Sequence, residues 1–283
     1  MYTFHVSPIH LLQTEKRVID YRKKTVIMGI LNVTPDSFSD GGRFDLVDRA
    51  VRHALEMEQE GADLIDIGGE STRPGYTPVP VEEEIGRVLP VIRAIRQHTD
   101  IPVSIDTYKA ETAKRAIDVG ADIINDIWGT KADPDMAATA AAYDVPIILM
   151  HNRDGNQYKN LIDDMKTDLR VSINRTLAAG VKPEKIILDP GIGFAKDYHQ
   201  NLVVMNHLEA FHELGYPLLL GTSRKGFIGK TLNLDADQRV EGTGATVCLG
   251  IMKGCQIMRV HDVRPITRMA KMMDAMLRED SCD

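Results

Sequence analysis

The amino-acid sequence predicts one α/β domain folded as a (β/α)8 barrel, and three features of the chain point to this fold. Short runs rich in Ile, Leu and Val recur along it, and a segment with helical patterning follows each run. The runs are apolar on both faces, which is typical of parallel strands that are covered on both sides. There are eight of them in 283 residues, and eight strand–helix units fit a closed barrel, which typically takes ~250 residues. An open, doubly wound sheet is the competing architecture.

The eight predicted strands are the runs 26–31, 64–67, 103–106, 123–127, 146–150, 186–189, 218–221 and 257–260. Their carboxyl ends fall near residues 32, 69, 106, 126, 150, 189, 223 and 260. Most neighbouring ends are therefore 34 to 39 residues apart, which leaves room for a strand, a helix and two loops. Residues 1–24 precede the first strand, and we expect them to be a short N-terminal extension of a barrel that covers residues 25–283.

Three of the connecting helices can be located from their ends. The segment 109–119 follows Thr107, a candidate N-cap residue, and precedes Gly120, which suits the position just after a helix. The segment 82–97 has acidic residues in its first turn and basic residues in its last, as the helix dipole favours. The last helix carries a core-facing stripe at helical spacing, made of Ile266, Met269, Met273 and Leu277.

Composition and charge exclude several classes of protein. Basic residues number 34 and acidic residues 41, and the net charge of −7 gives no electrostatic footprint for nonspecific binding of nucleic acid. No apolar stretch approaches the ~18 residues of a membrane helix, and the N-terminus has no signal-peptide pattern, so we expect a cytoplasmic protein with no membrane partner. The three cysteines, Cys248, Cys255 and Cys282, form no C-x-x-C pair and are expected to be reduced thiols.

Polar residues follow the apolar runs at the points where a barrel builds its active site. They are Asn32, Asp106, Asn125, Asp189, Ser223, Lys225, Arg259 and His261. Each alone fits a strand-end cap, but eight on one rim indicate a site. Arg259 and His261 are two residues apart and share a face of their strand, as do Ser223 and Lys225. Positive groups at the ends of the seventh and eighth strands favour an anionic ligand, since barrels often bind phosphate there.

Two polar, glycine-rich segments, 32–42 and 68–75, follow the first two strands. Their length and composition suit mobile lids over a reacting site, although plain connectors can have the same composition. A phosphate-binding P-loop is excluded at residues 229–231, because position 224 is Arg where that motif needs Gly.

Seven motifs stand in order along the chain: 29–42 (GILNVTPDSFSDGG), 68–75 (GGESTRPG), 104–107 (SIDT), 125–126 (ND), 189–194 (DPGIGF), 223–225 (SRK) and 259–262 (RVHD). Together they resemble the dihydropteroate synthase family, the sulfonamide targets of folate biosynthesis. The resemblance runs from about residue 25 to about residue 264. The chain departs from the family pattern at 194–197 (FAKD), where many members have Gly and Thr at the second and fourth places.

The resemblance implies a transferase that joins 6-hydroxymethyl-7,8-dihydropterin pyrophosphate to p-aminobenzoate and releases pyrophosphate. It implies that the pterin pyrophosphate contacts Thr72, Asp106, Asn125, Met150, Asp189, Phe194, Lys225, Arg259 and His261. It implies that p-aminobenzoate contacts Thr72, Arg73, Pro74 and Ser223. It also implies a Mg²⁺ cofactor with Asn32 as its protein ligand, and a homodimer formed through the last helices.

The residues that the resemblance makes catalytic are Asp36, Asp106, Lys225, Arg259 and His261. A carboxylate such as Asp189 can accept from the guanidine-like edge of a pterin, as it does from Arg. Positive groups and Mg²⁺ would neutralise the departing pyrophosphate. We favour a path in which bond breaking precedes attack, with Asp106 and Asp36 stabilising a cation at the methylene carbon. The amine of p-aminobenzoate is already a nucleophile, so the reaction needs no Ser or Cys nucleophile.

Two other functions stay open at this point. A corrinoid-dependent pterin methyltransferase would share the barrel and the Asp106, Asn125 and Asp189 type of pterin contact, but it has no use for a pyrophosphate site. A noncatalytic pterin-binding relative should have lost Asp106, Lys225 or Arg259, and the chain keeps all three. The motif 259–261, the Lys225 motif and the Asn32 loop therefore favour the synthase.

Overall fold

The strands and helices that the sequence predicts are present in a computed structural model, which describes residues 7–34, 43–70 and 78–278, with 43–45 described by backbone alone. The strands are β1 (Leu11–Gln13), β2 (Val18–Asp20), β3 (Val26–Asn32), β4 (Leu64–Gly68), β5 (Val103–Asp106), β6 (Ile123–Asp126), β7 (Ile147–Met150), β8 (Ile186–Asp189), β9 (Leu219–Leu220) and β10 (Ile257–Val260). The helices are α1 (Arg43–Glu60), α2 (Val81–Arg96), α3 (Ala110–Asp118), α4 (Met136–Ala142), α5 (Leu161–Ala178), α6 (Tyr198–Asn206), α7 (Gly226–Leu232), α8 (Val240–Met252) and α9 (Val263–Arg278).

Strands β3 to β10 form one parallel sheet in the order β8-β7-β6-β5-β4-β3-β10-β9. The two ends of this order meet, because Leu188 of β8 bridges to Leu218 and donates its backbone N–H to the Pro217 carbonyl at 2.9 Å. Helices lie between successive strands. The predicted (β/α)8 fold, a TIM barrel, is therefore confirmed, and the open doubly wound sheet is excluded.

Side-chain parity along the strands divides the apolar core into two layers. On β3, Val26 and Met28 point into the barrel, whereas Ile27 and Leu31 pack against the helices. The same alternation holds on the other strands. We call the inward apolar residues the barrel floor: Val26, Met28, Leu64, Ile123, Ile148, Ile187, Leu219 and Ile257.

The N-terminal strands β1 and β2 form an antiparallel hairpin that covers the amino-terminal end of the barrel. Leu12 and Ile19 face each other across the hairpin and, with Tyr21, join the apolar cluster of the barrel floor. Leu11, on the opposite face, is 42% exposed. An isolated two-stranded hairpin is marginal in water, so burial of this one face is what stabilises two three-residue strands.

Replacing Leu12 with alanine should destabilise the protein by about 2–5 kcal/mol, because a fully buried leucine leaves a cavity at the barrel floor. Denaturant unfolding measures the loss. Leu11→Ala is the matched control, since this side chain lies on the opposite face of the hairpin and is 42% exposed, and it should lower the free energy of unfolding clearly less. Equal losses in the two variants would show that the hairpin does not pack on the barrel as described.

The ends of α3 correct one expectation and confirm another. Thr107 is not the N-cap residue, because Lys109 occupies that position and Asp133 Oδ2 accepts from the first-turn N–H of Ala110 at 2.8 Å. The Thr107 hydroxyl instead accepts from the Lys109 N–H at 3.2 Å. Gly120 has a φ of +114°, the left-handed conformation expected just after the helix.

Helix α9 buries the predicted stripe. Ile266 is fully buried, and Met269, Met273 and Leu277 pack against the core from its edge. Its other side carries Met272 and Met276, exposed by 58% and 54%. None of the helices in the described ranges has the length and apolarity to cross a bilayer. Cys248 and Cys255 are free thiols, whereas Cys282 lies outside the described residues.

Candidate active site

The carboxyl-terminal mouth of the barrel is lined by polar side chains, and the alternation of side chains along each strand explains why they point inward. The side chains there lie on the same inward-facing parity as the barrel floor, two or four residues further along each strand, as Asn125 does after Ile123 and Arg259 after Ile257. Asp106, Asn125, Met150, Asp189 and Ser223 are all buried in this mouth. The structure therefore brings the predicted strand-end residues together.

Arg259 ties three strands together across the mouth. Its Nε donates to Asp66 Oδ2 at 2.6 Å, and its Nη2 donates to Asp106 Oδ2 at 2.6 Å. Asn125 Nδ2 donates to the same Asp66 oxygen at 3.1 Å. One guanidinium thus lies between two buried carboxylates. The positive charge of Arg259, which the sequence analysis predicts to face a phosphate, is therefore already partly neutralised by Asp66 and Asp106.

The two carboxylates keep an open acceptor each. Asp66 Oδ1 and Asp106 Oδ1 are buried and find no hydrogen-bond donor among the described residues. Burial raises the pKa of Asp106 to about 7, since desolvation and the neighbouring Asp66 outweigh the opposing effect of Arg259. Buried acceptors without a donor are rare in native proteins, and a ligand that brings N–H groups would satisfy them.

Asp66 is the site residue that sequence reasoning missed. It lies inside the apolar run of β4 and not at its end, so a search of strand ends passes over it. Its side chain is 0% exposed. An acidic residue within an otherwise apolar strand is a usable signal, because a buried charge is retained only where it is paired.

The loop after β8 forms hydrogen bonds with a second pair of charged residues, Asp189 and Lys225. Asp189 Oδ1 accepts from the Gly191 N–H at 2.7 Å, and burial raises the pKa of Asp189. Lys225 Nζ donates to the Ile192 carbonyl and lies 4.7 Å from the centre of the Phe194 ring. Desolvation lowers the pKa of Lys225 to about 8, although Asp189 opposes the shift. Phe194 is therefore held beside the lysine at the mouth.

The ends of β9 and β10 are joined in two ways. Ser223 Oγ accepts from the His261 backbone N–H at 3.1 Å and lies 3.0 Å from His261 Nδ1. On the outside, Arg224 donates to both oxygens of Asp262, at 3.0 and 2.6 Å. The SRK and RVHD motifs are thus one unit, with Ser223, Lys225, Arg259 and His261 on the inner side.

Asn32 lies at the end of β3, in register with Gly68 of β4. A Cβ placed on Gly68 would lie 3.7 Å from Asn32 Oδ1 and 3.7 Å from Asp106 Oδ2. The missing side chain therefore leaves a small space between an amide oxygen and a carboxylate oxygen.

Four predicted site residues lie outside the described residues: Asp36, Thr72, Arg73 and Pro74. The same holds for most of the two predicted lid segments, of which residues 32–34 and 68–70 are described. The assigned roles of these four residues stay predictions.

Both departures from the family pattern at residues 194–197 have a local explanation. Ala195 has a φ of +48°, a conformation in which Gly is unstrained, and its carbonyl accepts from the Tyr158 hydroxyl at 2.8 Å. Asp197 caps α6, because its Oδ1 accepts from the Gln200 N–H at 2.8 Å, and Thr is also an N-cap residue. The Gly and Thr of the family pattern would therefore also suit the backbone conformation at position 195 and the capping position 197.

Two buried glutamates, Glu70 and Glu84, share one lysine beside the carboxyl end of β4. Lys109 Nζ donates to Glu70 and to Glu84, the latter at 2.7 Å, and both carboxylates are less than 5% exposed. Glu70 also accepts from the Tyr108 hydroxyl at 3.0 Å and from the Val79 N–H at 3.1 Å. This cluster links the two described ends of the β4–α2 connection to the end of β5.

Replacing Lys109 with methionine should destabilise the protein by about 3–5 kcal/mol, because it leaves two buried carboxylates without their cation. Chemical denaturation of the variant measures this. Lys114→Met on the exposed face of α3 is the control and should leave the free energy of unfolding nearly unchanged. A loss below about 1 kcal/mol in Lys109→Met, the range of exposed ion pairs, would contradict a buried cluster.

Comparison with known families gives a consistent result. The model of the pterin binding enzyme family matches residues 28–261. The chain is 58% identical to dihydropteroate synthase of Bacillus subtilis over 274 residues, covering 97% of this chain and 96% of the relative. It is 61% identical to that of Clostridium beijerinckii over 257 residues, covering 90% and 96%.

Solved structures are similar along nearly the whole chain. Dihydropteroate synthase of Clostridium difficile, determined with pteroic acid, superposes with a TM-score of 0.90 at 52% identity, covering 92% of this chain and 100% of that one. The Xanthomonas albilineans enzyme with 4-aminobenzoic acid gives 0.92 at 39% identity, covering 97% and 100%. The Yersinia pestis enzyme with a sulfonamide drug gives 0.89 at 40%, covering 95% and 99%.

Proposed function

The chain belongs to the dihydropteroate synthase family of pterin-binding enzymes, a family of transferases of folate biosynthesis, and we propose that its barrel mouth is where the two substrates are condensed. The substrates are 6-hydroxymethyl-7,8-dihydropterin pyrophosphate and p-aminobenzoate, and the products are 7,8-dihydropteroate and pyrophosphate. Relatives solved with pteroic acid, with 4-aminobenzoic acid and with a sulfonamide support these substrates and a sulfonamide-binding site. The observation that carries the proposal is the set of buried, inward-facing polar groups around Arg259. Its two carboxylate partners, Asp66 and Asp106, each have one oxygen that accepts no hydrogen bond from the described residues.

The pterin ring would lie among Asp189, Asn125 and Asp106. Asp189 accepts from the amino group and ring N–H at the guanidine-like edge, as a carboxylate accepts from Arg. Asn125 offers both a donor and an acceptor, and Asp106 Oδ1 is an unsatisfied acceptor for a further ring nitrogen. Lys225 donates to the ring carbonyl and ring nitrogen, and Met150 and Phe194 supply apolar walls. Such a matched set rejects rings that leave a buried group unpaired.

The pyrophosphate would leave toward β9 and β10, where Arg259 and His261 point into the mouth. Arg259 donates one N–H to Asp66 and one to Asp106, so its remaining N–H groups can donate to a phosphate oxygen. Preorganised positive groups stabilise charge that develops on a leaving group. Although the protein has a net charge of −7, its positive groups are concentrated at this point, where they can bind a polyanion.

The carbon that the pyrophosphate leaves is next to the ring nitrogens, which can share its positive charge. Asp106 and Asp36 would stabilise this cation electrostatically. The amine nitrogen of p-aminobenzoate then bonds to this carbon and loses one proton to solvent, with its ring near Thr72, Arg73 and Pro74 and its carboxylate at Ser223. Of these six residues, Asp106 and Ser223 are in the described mouth.

The mouth fits a bound Mg²⁺. The space above Gly68 is flanked by Asn32 Oδ1 and Asp106 Oδ2, and oxygen donors are what Mg²⁺ prefers. Mg²⁺ commonly takes few protein ligands and completes its shell with water and substrate phosphates. When bound there, Mg²⁺ would offset the charge of the pyrophosphate.

A homodimer is the assembly that we propose, with α9 at its interface. Met272 and Met276 lie one turn apart on the same exposed side of α9, and Met252 at the end of α8 is 47% exposed. Replacing Met272 and Met276 with glutamate should shift a dimer to monomer in light scattering after size exclusion, whereas Leu202→Glu on α6 should not. A wild-type monomer would contradict the dimer.

We also propose a cytoplasmic location.

The function is tested by measuring pyrophosphate release and dihydropteroate formation with purified enzyme, pterin pyrophosphate and Mg²⁺. We expect both products only when p-aminobenzoate is present, in equal amounts. Pyrophosphate release without a pteroate product would contradict a synthase. Methyl transfer from a corrinoid donor would favour the methyltransferase instead.

A further inference from the structure

Lys196, in the loop after β8, satisfies three hydrogen-bond acceptors with one side chain. Its Nζ lies 2.9 Å from the Gly191 carbonyl, 2.9 Å from the Phe194 carbonyl and 3.1 Å from His151 Nδ1. An ammonium has three protons, and a neutral amine has two. The three contacts are satisfied either by a charged Lys196 beside an unprotonated His151 Nδ1, or by a neutral amine that accepts from a protonated Nδ1. We assign the first arrangement.

The partners of His151 support that assignment. His151 is buried at the end of β7, and its Nε2 lies 3.1 Å from Asp168 Oδ2 on α5. The Asp168 carboxylate accepts a hydrogen bond from Nε2–H, so the other ring nitrogen of the neutral imidazole, Nδ1, is the acceptor for Lys196. Desolvation lowers the pKa of His151 to about 4, so the imidazole is neutral at physiological pH.

The two carbonyls that Lys196 holds flank the pterin-facing part of the loop. Gly191 also donates its N–H to Asp189, and a Cβ on Gly191 would lie 2.0 Å from the His151 carbonyl, so the loop packs directly on β7. The segment bounded by these carbonyls, 191–194, also contacts Lys225. The Ile192 carbonyl accepts from Lys225 Nζ, and the Phe194 ring lies beside the same Nζ. Lys196 therefore joins the ends of the segment that orients Asp189 and Lys225.

We propose that Lys196 is a positioning residue for pterin binding, whose ammonium, braced by His151 and Asp168, fixes the loop that presents Asp189 and Phe194 to the ring. This role rests on the proposed function, because it concerns the same pterin pocket. In this proposal the Lys196–His151–Asp168 chain does not contact the ring. It acts through the loop that does.

The charge environment makes this support dependent on pH. Lys196 is faced by Asp189 at the end of β8, by Lys225 after β9, by Lys131 after β6, by Asp168 on α5 and by His151 at the end of β7. Desolvation lowers the pKa of Lys196 to about 7, with Lys225 and Lys131 acting in the same direction and the two carboxylates opposing it. The third donor is present below that pH and is lost as the pH rises through it, so pterin affinity should fall on the alkaline side.

The first test compares pterin affinity by calorimetry at pH 6 in the wild type, Lys196→Met, Lys196→Arg and Lys159→Met. Lys159 is an exposed lysine of a neighbouring loop and serves as the matched control. We expect Lys196→Met to bind 6-hydroxymethylpterin roughly 10-fold more weakly, with the arginine variant recovering part of the loss and Lys159→Met unchanged. In kinetics, KM for pterin pyrophosphate should rise while kcat stays within about twofold, as for lost ground-state binding.

The second test is Asp168→Asn, which leaves every pocket residue in place. Removing this carboxylate should move the alkaline loss of pterin affinity to lower pH, because Asp168 raises the pKa of Lys196 and is not among the groups that shift Asp106 or Lys225. The Lys196 side-chain carbon signal in NMR should move with it. Wild-type affinity in Lys196→Met, or an unmoved pH profile in Asp168→Asn, would overturn the positioning role. Failure of the wild type to bind pterin would instead overturn the proposed function.

Discussion

Replacing Arg259 with alanine should give the largest loss of activity of any single change in the barrel mouth. The guanidinium lies between Asp66 and Asp106, and in the proposed function it also faces the leaving pyrophosphate. We expect kcat to fall roughly 100- to 1000-fold, the range for removing one preorganised charge donor. Binding of pterin pyrophosphate should weaken much more than binding of the bare pterin.

The same change should lower the free energy of unfolding by about 3–5 kcal/mol, because two buried carboxylates lose their shared cation. Arg268→Ala on the exposed side of α9 is the control for both measurements. Adding Asp66→Asn to Arg259→Ala should recover part of the stability and none of the activity. Equal weakening of the two pterin ligands would move Arg259 out of the phosphate site.

Replacing Asp189 with alanine should weaken pterin binding by roughly 10- to 150-fold, since hydrogen bonds to a charged group contribute about 1.5–3 kcal/mol. Calorimetry with 6-hydroxymethylpterin measures the change. Asp189→Asn separates the two roles of this side chain, because its amide oxygen can still accept from the Gly191 N–H but carries no charge. We therefore expect the asparagine variant to keep its stability and still lose most of its pterin affinity. Unchanged pterin affinity in both variants would contradict the assignment.

The barrel could be predicted from the sequence because its strands are short, apolar on both faces and regularly spaced. The run 257–260 is the strand as observed, and the run 218–221 shrinks to Leu219–Leu220. The hairpin at 11–20 could not be located, since its strands have three residues each and gain their stability from contacts with the barrel floor. The predicted N-cap of α3, Thr107, is wrong because the carboxylate of Asp133, 23 residues after Ala110, accepts from the first turn of that helix.

The strand-end residues of the site could be predicted because barrel geometry places them together. Asp66 could not be found this way, since it lies within a strand and its partners Asn125 and Arg259 are 59 and 193 residues away in sequence. Lys196 has the same problem, because its partner His151 is 45 residues away and nothing local marks the pair. Contacts made by tertiary packing leave no periodic signal, so these groups emerge only from the structure.

The central claim, that the pterin binds in the mouth of the barrel with its pyrophosphate toward β10, is tested most directly by a crystal structure with pterin pyrophosphate, Mg²⁺ and p-aminobenzoate. We predict that the amino edge of the ring lies on Asp189 and Asn125, that Asp106 Oδ1 gains a ring N–H donor, and that the pyrophosphate contacts Arg259 and His261. A ring bound away from Asp189, or a pyrophosphate that leaves Arg259 paired only with Asp66 and Asp106, would contradict it.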